Sequence, residues 1–169
     1  MQSVNECFHK VKDDCFKYID SQETKTEKFK NKARMLRSYL IPLCFWIVDQ
    51  KKNKSKTLIL GLSGGQGIGK TTITSIISII LKKYFNKKIF VISIDDFYKT
   101  IKERYKLSQN IHPLLQTRGV PGTHDVKIIL NFFRKLNTNN FKLIALPKFD
   151  KSIDDRFKKN KWYKLKKKP

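Results

Sequence analysis

The segment Gly61-Leu62-Ser63-Gly64-Gly65-Gln66-Gly67-Ile68-Gly69-Lys70-Thr71-Thr72 decides the fold. Residues 64–71 satisfy the spacing G-x-x-x-x-G-K-[ST] of a phosphate-binding loop. Glycines let the main chain approach a pyrophosphate and adopt positive φ. The N–H groups of Gly64, Gly65, Gln66, Gly67, Ile68 and Gly69 can then converge on anionic oxygens. A helix beginning near Lys70 adds the positive end of its dipole at the same place. Lys70 can bridge the β and γ phosphates of ATP. The Thr71 hydroxyl can ligate Mg²⁺, with Thr72 beside it in the first turn.

A glycine-rich turn that merely joined a strand to a helix would share this spacing, so the flanks matter. Before the loop, 57–62 is a short apolar run of the kind buried on both faces of a parallel sheet. After it, Ile73, Ile76, Ile77, Ile80, Leu81 and Tyr84 recur at helical period. A second apolar run, 89–94, stops at Asp95. Strand, loop, helix and strand compose a βαβ unit with parallel strands. Further on, Thr123 or Asp125 can cap a helix carrying Val126, Ile129, Leu130, Phe133 and Leu136. A turn over 137–140 leads to a third strand at 141–146, and 107–122 reads as irregular.

Before the loop, Val4, Cys7, Phe8, Val11, Cys15, Tyr18 and Ile19 predict an amphipathic first helix. A second, with Phe29, Ala33, Leu36 and Leu40, is kinked or restarted at Pro42. The expected fold class is α/β: a three-layer αβα P-loop NTPase arrangement. Its parallel sheet is incomplete, with about three strands, and N-terminal helices precede it. The expected domains are 1–50, a helical segment packed on the core, and 51–169, a nucleotide-binding domain short of its C-terminal part.

Composition narrows the function. The chain has 169 residues, with 37 Lys and Arg against 14 Asp and Glu, a net charge of +23. A hydrophobic fraction of 40% and 12% aromatics exclude a disordered tail. Among the cations the arginines are Arg34, Arg37, Arg104, Arg118, Arg134 and Arg156, and the rest are lysines. Lysine is a hydrated point charge, whereas arginine reads bases and clamps phosphates, so nucleic acid is not the expected partner. A basic surface still draws in anionic small molecules. Cys7, Cys15 and Cys44 are odd in number and suit a reducing cytoplasm. Cys7, His9 and Cys15 lack a fourth zinc ligand. The first twenty residues contain no apolar block typical of a secretory leader. The apolar run 39–48 is too short to span a bilayer, so no membrane is expected.

Asp95 and Asp96 stand at the carboxyl end of the second apolar run, the edge of a parallel sheet where ligands collect. One of them can take a proton from a substrate hydroxyl or bind the magnesium. Neighbouring residues on extended backbone face opposite ways, so only one is expected to face the phosphates.

With these motifs in place, the chain resembles the D-glycerate 3-kinases of the plant and yeast type. These belong with the phosphoribulokinase, uridine kinase and pantothenate kinase group. The resemblance rests on 61–72, on Ser-Ile-Asp-Asp-Phe-Tyr at 93–98, on Arg-Gly-Val-Pro-Gly-Thr-His-Asp at 118–125, and on Leu-Pro-Lys-Phe-Asp-Lys-Ser at 146–152. It implies transfer of the ATP γ-phosphoryl to a primary hydroxyl of a small acceptor such as D-glycerate. Asp95 would then be the base and, with Thr71, a magnesium ligand. Arg118, His124, Lys148, Asp150 and Arg156 would lie around the acceptor. A forked guanidinium suits a carboxylate such as glycerate's.

The alternatives within the group are pantothenate, uridine or phosphoribulose phosphorylation. Outside it stands a nucleotide-binding protein with little catalysis that docks nucleic acid through its lysine run at 158–168. The resemblance covers roughly 40–156. The related kinases continue into a strand ending in Leu-Glu-Gly-Trp and a helical lid, so the expectation is a chain shortened at its C-terminal end.

Overall fold

Apolar side chains at helical period build α1 (Val4–Gln22), which buries Cys7, Phe8, Val11, Cys15 and Ile19. Ser3 opens it, its hydroxyl accepting the Glu6 N–H at 3.1 Å. In this computed structural model, which describes residues 3–52, 54–65, 67–138, 143–166 and 169, two compact units are seen. One is 1–91 with Pro169, and the other is 92–168.

In the first unit α1 packs against α3 (Ile41–Lys52) and α4 (Lys70–Lys83). The short α2 (Lys32–Met35) leads to α3 through a π turn over Leu36–Leu40. There the Ile41 N–H reaches back to the Leu36 carbonyl, one residue further than in an α-helix. Pro42 has no N–H to give, and the kink expected at it takes the form of this widened turn just upstream. Leu36, Ile41, Ile76 and Ile80 are fully buried in the shared core, each burial contributing about 1.5–3 kcal/mol. An ion pair between Lys83 and Asp14 ties α4 to α1 on the outside.

All three cysteines are free and lie in that core. Burial pushes the Cys7 thiol up to about 11 and those of Cys15 and Cys44 up to about 12. They act as small apolar residues. The expected boundary at 50/51 falls inside α3, whereas the compact units divide after Val91.

The parallel sheet of the sequence expectation is not seen among the described residues. Among the described residues there are two ladders, and both are antiparallel. The runs 57–62 and 89–94 belong to neither. Ile59, Leu60 and Leu62 are about half exposed, as are Val91 and Ile94. A short apolar run states that it wants burial. It does not carry the neighbour that would supply the pairing. Of the third expected strand, Phe141 and Lys142 lie outside the described residues. The remainder is β1 (Ile144–Leu146), paired antiparallel with β4 (Tyr163–Leu165).

The second unit opens with a 3₁₀ turn, Ile94–Phe97, followed by α5 (Ile101–Asn110) and a further 3₁₀ turn, Pro113–Gln116. Helix α5 extends into the stretch expected to be irregular. Its signal is the capping box of Thr100 and Glu103: the Glu103 carboxylate accepts the Thr100 N–H at 2.7 Å. Helix α6 (Val126–Leu136) is capped by Asp125, which accepts the Ile128 N–H at 3.2 Å. It buries Phe132 and Leu136, while Val126 and Leu130 from the expected stripe are exposed. Phe132 meets Phe97 with ring centroids 6.5 Å apart. A hairpin of β2 (Phe149–Asp150) and β3 (Asp155–Arg156) pairs Phe149 with Arg156. No helix among the described residues is long and apolar enough to cross a membrane.

Candidate active site

The phosphate loop belongs to the first unit. Gly67 and Gly69 have φ of 79° and 82°, a region that disfavours any side chain. A Cβ on either would meet nothing within 4 Å, so conformation, not room, demands glycine there. Gly64 differs: a Cβ there would sit 3.1 Å from the Ile68 side chain. Gln66 lies outside the described residues. Lys70 curls back over the loop, its ammonium donating to the carbonyls of Gly64 at 2.8 Å and Gly65 at 2.6 Å. Helix α4 starts at Gly69 without a side-chain cap, which leaves its first-turn N–H groups, those of Lys70, Thr71 and Thr72, suited to an anion. Thr71 is exposed at that end.

In the second unit the two neighbouring aspartates have different duties. Asp96 accepts the Ser93 N–H at 3.4 Å through one oxygen and the Phe149 N–H at 3.2 Å through the other. It is a structural clasp. Asp95 instead points its carboxylate at the Lys151 ammonium, 2.8 Å away, and at the Tyr98 hydroxyl. The two side chains part within a 3₁₀ turn with a capping box, not along an extended strand.

Around Asp95 stand side chains from three sequence motifs. His124 stacks on Tyr98 with centroids 4.2 Å apart, and its Nε2 is buried without a hydrogen-bond partner. Burial lowers the His124 pKa and outweighs the opposing pull of Asp95, so the ring is neutral near pH 7. Tyr98 meets Phe149 edge-on at 5.4 Å, and the Arg118 guanidinium lies 5.8 Å from the centroid of the same Phe149 ring. Burial and the Asp95 charge raise the Tyr98 pKa, keeping the phenol a donor. Arg118 Nη1 is 3.1 Å from Asp154 Oδ1. That is a charge contact without hydrogen-bond alignment, since neither atom has a hydrogen-bond partner.

The other three expected acceptor residues are engaged elsewhere. Lys148 lies over the rings of Phe157 and Tyr163, at 5.3 and 5.6 Å. Asp150 accepts the Ser152 N–H at 3.0 Å and its hydroxyl at 2.5 Å, a turn that holds its carboxyl below the usual carboxylate range. Arg156 donates twice to the Tyr98 carbonyl, at 3.1 and 2.6 Å, and approaches Asp125 at 3.5 Å. Sequence reasoning passed over Tyr98 and Lys151, although both lie in quoted motifs. It also missed Asp154 and Arg104, which carry no local signal.

Comparison with known proteins follows the same motifs. No family model matches the chain. It is 34% identical over 135 residues to the chloroplastic D-glycerate 3-kinase of Arabidopsis thaliana, covering 72% of this chain and 29% of that protein. It is 35% identical over 125 residues to the uncharacterized kinase mug58 of Schizosaccharomyces pombe, covering 70% of this chain and 45% of the relative. The solved D-glycerate 3-kinase of Cryptococcus neoformans var. grubii superposes with a TM-score of 0.63 at 28% identity, over 76% of this chain and 48% of that one.

Over the aligned part this chain is similar to the glycerate 3-kinases.

It spans about half the length of these relatives or less. Over the aligned part its α/β fold is the one that the glycerate kinase adopts.

Proposed function

We propose that the chain carries the phosphate loop and acceptor side of an ATP-dependent kinase that phosphorylates a primary hydroxyl of a small hydroxy acid, D-glycerate above all. One observation carries this reading. Asp95, Arg118 and His124, from two separate motifs, gather with Tyr98 and Phe149 in one cluster. The combination suits an acceptor with a carboxylate at one end and a hydroxyl at the other. Arg118 would take the carboxylate. Asp95 would take the hydroxyl proton as that oxygen bonds to the γ-phosphorus and ADP departs. Lys151 and the Tyr98 hydroxyl would orient the Asp95 carboxylate for this proton.

The Lys70 ammonium and the N–H groups at the start of α4 would hold the β and γ phosphates. Magnesium fits this donor set in a particular way. Among the described residues no group of three or more His, Cys, Asp or Glu could enclose a metal. Mg²⁺ keeps much of its water shell and is commonly held by nucleotide phosphates with one or two protein oxygens; Thr71 in the first unit would be one candidate donor and Asp95 in the second another. When bound it would neutralise charge on the transferred phosphoryl. The three free buried thiols suit a reducing compartment such as the cytoplasm.

The test is ADP release from Mg-ATP with D-glycerate, pantothenate, uridine and ribulose 5-phosphate as acceptors. D-Glycerate should give the fastest turnover, and Lys70→Met should abolish it. Equal background release with every acceptor would refute the proposal, as would steeply salt-dependent RNA binding that Lys70→Met leaves untouched.

A further inference from the structure

Arg104, on the inner face of α5, is fully buried, an environment that disfavours a guanidinium. Among the described residues only its Nη2 has hydrogen-bond partners: the Asp154 carbonyl at 2.5 Å and the Asp154 carboxylate at 2.8 Å. Its Nε and Nη1 are buried without hydrogen-bond partners. The Phe149 ring, with its centroid 5.7 Å away, compensates in part. Burying a charge so incompletely satisfied costs more than burying methionine or leucine. Stability alone therefore gives no reason for an arginine here.

Its partner supplies one. Asp154 sits in the left-handed region at φ 55°, in the turn between β2 and β3. Two donors from Arg104 fix both its backbone and its carboxylate. The remaining carboxylate oxygen faces Arg118 Nη1 at 3.1 Å. The two guanidiniums thus share one aspartate and flank one phenyl ring, at 5.7 and 5.8 Å from its centroid. The contact to Arg118 is a charge contact and not an aligned hydrogen bond, and the Arg118 side chain keeps 36% of its surface exposed.

We propose that Arg104 and Asp154 are positioning residues that hold the Arg118 fork ready for the carboxylate of the acceptor. Arg104 sets Asp154, and Asp154 sets Arg118. This rests on the kinase reading and adds to it the two residues that give the site its preference for an anionic acceptor.

The test is a double-mutant cycle on kcat/KM for D-glycerate in the protein as it stands, with the KM for ATP and the melting temperature measured alongside. Asp154→Asn should lower kcat/KM for D-glycerate about 10- to 100-fold, mainly through KM, and leave the KM for ATP within about twofold. In an Arg118→Lys background the same change should cost less than about threefold, because the interaction it serves is already gone. Arg104→Met should copy the Asp154→Asn kinetics while melting at the parent temperature or above. Should Arg104→Met fail to fold, the Asp154 and Arg118 cycle decides alone. Additive effects overturn the inference, and so does an Asp154→Asn protein with a lower KM for D-glycerate, which would make Asp154 a competitor of the acceptor. If the parent protein shows no D-glycerate-dependent ADP release, the kinase reading fails and takes this inference with it. If the parent is active and the cycle is additive, only the inference falls.

Discussion

Two adjacent aspartates with separate duties invite a paired substitution. Asp96→Ala removes the acceptor of the Ser93 N–H, the N3 half of a capping box, a hydrogen bond worth about 0.5–1.5 kcal/mol. It also strands the part-buried Phe149 N–H, at about 1–3 kcal/mol. The sum is about 3 kcal/mol, which for a unit of this size lowers the melting temperature by about 12–24 °C. Asp95→Ala breaks an ion pair whose partners are 32% and 64% exposed, worth about 0–1 kcal/mol, and a contact with the Tyr98 hydroxyl worth about 1 kcal/mol. Its melting point should therefore fall less than that of Asp96→Ala while turnover collapses. Urea and thermal melts followed by circular dichroism, together with the ADP-release assay, separate the two. The reasoning is refuted if Asp96→Ala melts like the parent, or if Asp95→Ala is the more destabilising.

The thiols of Cys7, Cys15 and Cys44, pushed up to about 11, 12 and 12 by burial, should resist Ellman's reagent at pH 8 in the folded protein and react at once in urea. Rapid labelling of the native chain would contradict the packing of α1 against α3 and α4. His124, its pKa lowered by burial, should titrate below the usual 6.5 in an NMR pH series. The Asp95 charge opposes that shift, so Asp95→Asn should move the midpoint lower still. The sign for stability follows: the unfolded state binds the proton first, so the His124 contribution is whole above pH 6.5 and fades as pH falls from there towards the folded midpoint. Stability rising through that window on acidification would contradict it.

The helices were legible because their information is local. Positions 4, 7, 8, 11, 15 and 19 repeat at helical period, and all but Val4 are buried. The residues of α4 behave likewise at Ile76, Ile80 and Leu81. The phosphate loop was legible because spacing and backbone conformation coincide at Gly67 and Gly69. Helix α5 could have been read from Thr100 and Glu103. The sheet could not. The partner of Ile144 is Leu165, and nothing near either names the other. The cluster around Asp95 was half legible for the same reason. Asp95, Arg118 and His124 sit in motifs, but that Asp150 and Arg156 serve the turn and the Tyr98 carbonyl depends on contacts between distant segments. Arg104 looks like any surface cation on a helix until Asp154 arrives from fifty residues away.

The bare apolar side chains of 57–62 and 89–94 and the surplus of lysines are best understood together. Exposed Ile59, Leu60, Leu62 and Val91 would favour sticking between molecules, while a net charge of +23 keeps neighbours apart at low ionic strength. That repulsion reaches about 10 Å in 0.1 M salt and about 3 Å in 1 M. Colloidal behaviour should therefore run opposite to that of a protein held together by surface ion pairs: dilute buffer disperses this one, and brine clumps it.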